Sequence, residues 1–143
     1  MDELLELKQY IEAERYEDAL LLISEMEEMA KEDKLNKLSS FVVILLIHLI
    51  KQAAEKHTTR SWDTSIRASL YEISKTNKRK KAGGFYAGAD EFTSMIDDSY
   101  PIALRRASDE AFEGSFSEGE IEAMFDVEAL KRGALDKLIA TSN

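Results

Sequence analysis

The sequence contains no cysteine. That removes disulfides, thiolate metal sites and cysteine nucleophiles together, and it suits a reducing compartment. Proline occurs once, as Pro101, and with 44% hydrophobic residues this fits a folded helical protein rather than a disordered one. Histidine occurs twice, and neither His48 nor His57 has a glutamate three residues before it, because Leu45 and Ala54 stand there. The paired Glu-x-x-His pattern of a di-iron bundle is therefore excluded. There is no Ser-His-Asp series, no glycine-rich phosphate loop and no dinucleotide fingerprint, so any catalysis would rest on carboxylates or lysine. No run of period-two alternation is long enough for a strand. The longest apolar run, Phe41 to Ile50, is ten residues, about half of the ~20 that a membrane span needs. The opening residues Asp2, Glu3 and Glu6 are acidic where a secretory signal is basic. A cytoplasmic protein that does not enter a membrane is expected, with no cofactor.

What the chain does contain is a strongly patterned charge. Residues 1–33 carry twelve acids and three bases, residues 34–81 three acids and eleven bases, and residues 82–143 thirteen acids and five bases. The three net charges are −9, +8 and −8, which sum to the overall −9. A basic middle between acidic flanks either stabilises itself internally or presents a cationic face to an anionic partner.

At 143 residues the chain reads as one domain, 1–143, large enough to bury a core. The apolar run 41–50 has nine apolar residues and one exception, His48. A helix built on it has no water-facing side and has to be wrapped by neighbours. The expected fold class is all-α, a single-domain bundle of five to seven helices around a central apolar helix at about 34–56. Before it come a helix over about 2–13 and another over about 16–32, the latter with Ala19, Leu22, Ile23, Met26, Met29 and Ala30 at helical spacing. Asp33 is the only break between the second and third helices, and a weak one. Ser61 is the expected N-cap of a fourth helix, with Trp62 in its first position and a stripe of Ile66, Leu70 and Ile73. That helix stops in the basic turn 78–81 and the pair Gly83-Gly84. A fifth helix over about 90–112 contains Pro101, with a kink expected and Tyr100 pushed off helical angles. Ala103, Ala107 and Ala111 at spacing four leave room for a close neighbour. Ser117 and Glu120 match a capping box ahead of a short helix at about 118–125. A last helix covers about 128–140.

Three stretches occur together in a familiar order: Glu25-Met26-Glu27-Glu28-Met29, Leu45-Leu46-Ile47-His48-Leu49-Ile50-Lys51, and Arg60-Ser61-Trp62 with Ser65-Ile66. Tyr100-Pro101 and the alanine-rich turn after it extend the pattern. In these the chain resembles the domain-of-unknown-function family twenty-nine, small all-helical bacterial proteins, over roughly residues 10–112. The resemblance implies a helical bundle and no assigned activity. It brings forward Glu25, Glu28, His48, Lys51, Arg60 and Trp62. The run Lys78–Lys81 and the double glycine lie outside the family pattern.

Two constellations follow. Glu25 and Glu28 share a helix face, and with His48 from the next helix they would form a general base or a divalent-metal site, and with it a hydrolase. The plainer reading is a solvated acidic face with Glu27 and Glu32 nearby. A helical nucleotide pyrophosphatase would want a second acidic pair, and the third helix offers only Glu55. A histidine in so apolar a turn needs a polar partner, so Glu25, Glu28 or Arg60 is expected within hydrogen-bond reach of His48, and Trp62 is expected as a core anchor beside it. Arg60, with Lys56 and the start of the fourth helix, has the alternative reading of a phosphate site.

The second constellation is Lys75, Lys78, Arg79, Lys80 and Lys81, followed by Phe85 and Tyr86. Cations at a helix end stabilise its macrodipole, but five exceed what capping requires. The leading expectation is a non-catalytic interaction module that binds a protein partner through this charged face. A nucleic acid is the alternative, its backbone held by the cations and a base stacked on the rings. A homo-oligomer would form through the last helix or through the Phe85-Tyr86 loop.

Overall fold

A computed structural model describes residues 3–80 and 82–142. The elements are α1 (Glu3–Glu12), α2 (Tyr16–Glu55), α3 (Arg60–Asn77), α4 (Ala89–Glu110), a 3-10 turn (Ala111–Gly114), α5 (Glu118–Glu122) and α6 (Val127–Ala140). The described residues contain no strand, only one isolated bridge between Lys78 and Phe85, so the fold is all-α. The chain separates into two compact units, Met1–Leu35 and Asn36–Asn143.

The first unit is a helical hairpin. Its turn is closed by Arg15 N–H donating to the Tyr10 carbonyl at 2.8 Å, with Glu14 in the left-handed region at φ 61°. Arg15 holds the corner by pairing with Asp18 at 2.8 Å and lying over the Tyr10 ring. Among the described residues of this unit, Ala19 and Leu22 are buried. Tyr16, Leu20, Ile23 and Ala30 fall on one face of α2, beside the buried face of Ala19, Leu22 and Met26, and Leu20 is 64% exposed.

α2 does not break at Asp33. It runs forty residues without interruption, so the expected second and third helices are one. No glycine or proline occurs in it, and Glu27–Lys31 and Asp33–Lys37 have the i,i+4 spacing that supports a continuous helix. By length and composition α2 passes as a membrane span, and 44% of the qualifying window is buried inside the fold. A core helix passes the same test.

In the second unit, Leu38, Val42, Leu45, Leu46 and Ile50 of α2 are fully buried. The expected wrapping is incomplete. Lys37, Ser40, Ile44 and His48 share one stripe, and Ile44 is 38% exposed. Apolar composition alone does not seal a side for which the fold supplies no neighbour. Phe92, Ile73, Ile121 and Leu138 complete the centre of this unit. α4 packs on α6, on α5 and on the 3-10 turn. Ala103 and Ala107 of α4 and Ala111 at the start of the 3-10 turn are all at 0% exposure.

Three local expectations shift. The cap of α3 is Thr59, whose hydroxyl accepts from Trp62 N–H at 3.1 Å, so the helix starts before Ser61. Thr58 donates to Asp63 at 2.9 Å and fixes that corner two residues early. α4 continues through Pro101, and Tyr100 stays helical. Pro101 and Asp97 both lie on the exposed side, so water can satisfy the Asp97 carbonyl that the proline leaves unbonded. The capping box of Ser117 and Glu120 forms, with bonds of 3.2 and 3.1 Å, but α5 ends at Glu122.

Candidate functional site

The proposed network of Glu25, Glu28, His48, Arg60 and Trp62 is divided between the two units. Glu25 and Glu28 are exposed in the first unit, and His48 lies in the second. Glu28 and His48 stand on one helix, α2, rather than on two as expected. His48 finds its partner locally: Nδ1 is 2.8 Å from the Ile44 carbonyl. A carbonyl only accepts, so Nδ1 carries the proton and a neutral ring keeps Nε2 as an acceptor. Arg60 is exposed at the start of α3. Among the described residues no three His, Asp or Glu side chains are grouped as a metal ion would require.

Of the residues that the resemblance brought forward, Lys51 and Trp62 do meet. Lys51 is buried, its Nζ 4.8 Å from the centre of the half-buried Trp62 ring and 2.9 Å from Glu110. His57 stacks on Trp62 at 5.2 Å. The result is a column of His57, Trp62 and Lys51 ending on Glu110. Glu55 closes it from α2, accepting from Phe112 N–H at 3.3 Å. The next residues are unusual: Phe112 and Glu113 are both left-handed, at φ 50° and 56°. Two such non-glycine residues in succession store backbone strain. Glu110 lies fifty-nine residues from Lys51, and no local sequence signal points to it.

A second polar group lies in the same unit. Tyr100 donates to Glu122 at 2.8 Å, with Lys131 Nζ 4.8 Å from its ring and 3.1 Å from Asp97. Burial, and then the Glu122 carboxylate, push the Tyr100 phenol well above its ordinary value.

The basic constellation, in contrast, is assembled. α3 ends at Asn77, and Lys78 leaves it in extended conformation at φ −77° and ψ 125°. The chain turns back through Gly83 and Gly84, both at φ 74°, where a side chain would be strained. Arg79 N–H donates to the Gly84 carbonyl and Tyr86 N–H to the Asn77 carbonyl, each at 3.0 Å. Asn77 is the clamp. Its side-chain oxygen accepts from Ala87 N–H at 2.7 Å, and its Nδ2 donates to the Ala87 carbonyl at 3.0 Å. Both residues are buried.

On this pinned loop Lys78, Arg79 and Lys80 are exposed, and among the described residues none has an ion-pair partner. Lys75 joins them over the Tyr71 ring at 5.4 Å, and Arg79 sits 5.6 Å from the centre of Tyr86. A surface hollow of about 490 Å³ is lined by Tyr71, Ser74, Lys75, Lys78, Arg79 and Lys80. Tyr71 is 63% and Phe85 43% exposed. Lys81 lies outside the described residues. The sequence pointed to these cations and to Phe85 and Tyr86, and it missed Asn77 and Tyr71.

The described residues thus define an all-helical protein whose second unit presents a cationic loop hydrogen-bonded to the end of α3. The model of the family described as "Domain of unknown function DUF29" matches residues 6–130, and the chain belongs to that family. No curated protein and no solved structure matches it.

Proposed function

We propose that this protein is a non-catalytic interaction module that binds an acidic face of a protein partner through the α3–α4 loop. One observation carries the reading: three consecutive cations, Lys78, Arg79 and Lys80, project from a loop clamped by Asn77, with no acidic partner among the described residues. A loop already fixed in its bound form loses little conformational entropy on binding. Unpaired surface cations favour fast and selective encounter with carboxylates. The test replaces Lys78, Arg79 and Lys80 together with glutamine and compares the proteins retained in a pull-down. The partners of the wild type are expected to drop out; an unchanged set would remove this loop from the function.

The exposed rings of Tyr71 and Phe85 beside these cations favour a second reading, single-stranded nucleic acid. Base stacking on such rings contributes ~1–3 kcal/mol per base. The net charge of −9 opposes a long polyanion, but local cations prevail within a Debye length of ~8–10 Å. Salt-dependent retention of a labelled oligonucleotide, lost in the glutamine variant, would favour this reading over the first. No binding at low salt would end it.

A further inference from the structure

We propose that the acidic protein face bound by the α3–α4 loop is the N-terminal hairpin of a second copy of this chain. This rests on the binding role given to the loop above and names its partner. Three observations on the hairpin lead to it. Residues 1–33 carry a net charge of −9, and among the described residues the hairpin's one internal ion pair is Arg15–Asp18. Glu17, Glu25, Glu27, Glu28 and Glu32 are all exposed. The hairpin also leaves Tyr16, Leu20, Leu21, Ile23 and Met29 open to water, and among its described residues it buries Ala19 and Leu22 alone. A unit of this size, Met1–Leu35, is below the ~40 residues at which a chain usually sustains its own core, and such units are commonly completed by association.

The complement to this surface is on the same chain. Residues 34–81 carry +8, and Lys78, Arg79 and Lys80 have no ion-pair partner among the described residues. Tyr71 and Phe85 stand beside these cations as exposed rings against which aliphatic side chains can pack. Charge selects among the alternatives. Two hairpins meeting face to face would bring −9 against −9. An anionic membrane surface would repel the hairpin for the same reason. A hairpin on the loop of another copy brings opposite charges and apolar groups together at once, and it needs no second gene product.

The test uses the purified full chain. At about 0.1 M salt, sedimentation is expected to show concentration-dependent self-association. Raising salt to about 1 M shortens the Debye length from ~10 Å to ~3 Å and should weaken association by about tenfold or more. Two triple variants are made, Glu25→Lys/Glu27→Lys/Glu28→Lys in the hairpin and Lys78→Glu/Arg79→Glu/Lys80→Glu in the loop. All six positions are exposed, so circular dichroism and Tm are expected to stay at wild-type values. Each variant alone should be monomeric, and an equimolar mixture of the two should associate again.

A wild type that stays monomeric at low salt overturns the self-association. So does association that strengthens with salt, or that survives in the loop variant; either outcome points to apolar contact between hairpins. Recruitment of the wild type to zwitterionic vesicles without self-association would assign the hairpin to a lipid surface and also overturn it. The loop reading fails separately: it falls only when the glutamine variant retains every partner of the wild type.

Discussion

The two units of this protein use similar ingredients to opposite ends. The first holds Leu20, Leu21, Ile23 and Met29 on a helix and leaves all four exposed. The second holds Leu38, Val42, Leu45, Leu46 and Ile50 further along the same helix and buries all five completely. The helix is equally well formed in both places, so local propensity does not separate them. What separates them is how many other elements surround the helix. In the second unit Lys51 of α2 meets α3 at Trp62 and α4 at Glu110, while Gln52 reaches Asp63 and Lys56 donates to the Met124 carbonyl. The first unit itself contains α1 as the one other described helix.

Truncating a leucine in each unit should show the largest contrast. Leu45→Ala empties a site at 0% exposure and is expected to cost about 2–5 kcal/mol. Leu20→Ala, at 64% exposure, should lie within about 0.5 kcal/mol of wild type in the monomer. Chemical denaturation at high salt reads both; a comparable loss at Leu20 would show that the hairpin has a core of its own.

Within the second unit, Asn77→Ala leaves the buried N–H and C=O of Ala87 without partners. Each orphaned group costs ~1–3 kcal/mol, so a loss of about 2–4 kcal/mol is expected. The amides of Tyr86 and Ala87 should also lose protection against exchange. A change confined to the usual surface range would mean that the loop is not held by this clamp.

Tyr100→Phe is a smaller effect with a diagnostic pH dependence. At neutral pH it removes the hydrogen bond to Glu122, worth about 1 kcal/mol. The folded phenol titrates above its unfolded value of about 10. The folded state therefore keeps a proton that the unfolded state releases, and the stability from Tyr100 is present below about pH 10 and falls as pH rises beyond it. Wild type should lose stability above that pH faster than the phenylalanine variant. Parallel denaturation curves through the alkaline range would contradict the burial assigned to this phenol.

The helical pattern was legible from residue spacing because amphipathic periodicity is a local property. Ala103, Ala107 and Ala111 and the box of Ser117 and Glu120 were readable in this way, whereas α3 ends at Asn77, ahead of the basic turn and the glycines expected to close it. Asp33 looked like a boundary only because a forty-residue helix is long for a small fold. With α2 continuous, Glu25, Glu28 and His48 stand on one helix rather than on the two that the network was expected to join. The cation cluster was legible as charge, but its stiffness was not. Asn77 reads as one more polar residue at a helix end until Ala87, ten positions later, is seen to complete both bonds. Lys51 with Glu110 is harder still, because fifty-nine residues separate them and chain topology alone unites them.

The measurement that bears most directly on the contrast between the units is amide hydrogen exchange, residue by residue, on the monomer at high salt. Amides of Glu3–Glu32 are expected to exchange through cheap local opening, while those of Val42–Ile50 exchange only through global unfolding. Lowering the salt at high protein concentration should then raise protection in the hairpin and leave the core unchanged. Equal protection along the whole of α2 in the monomer would contradict the account.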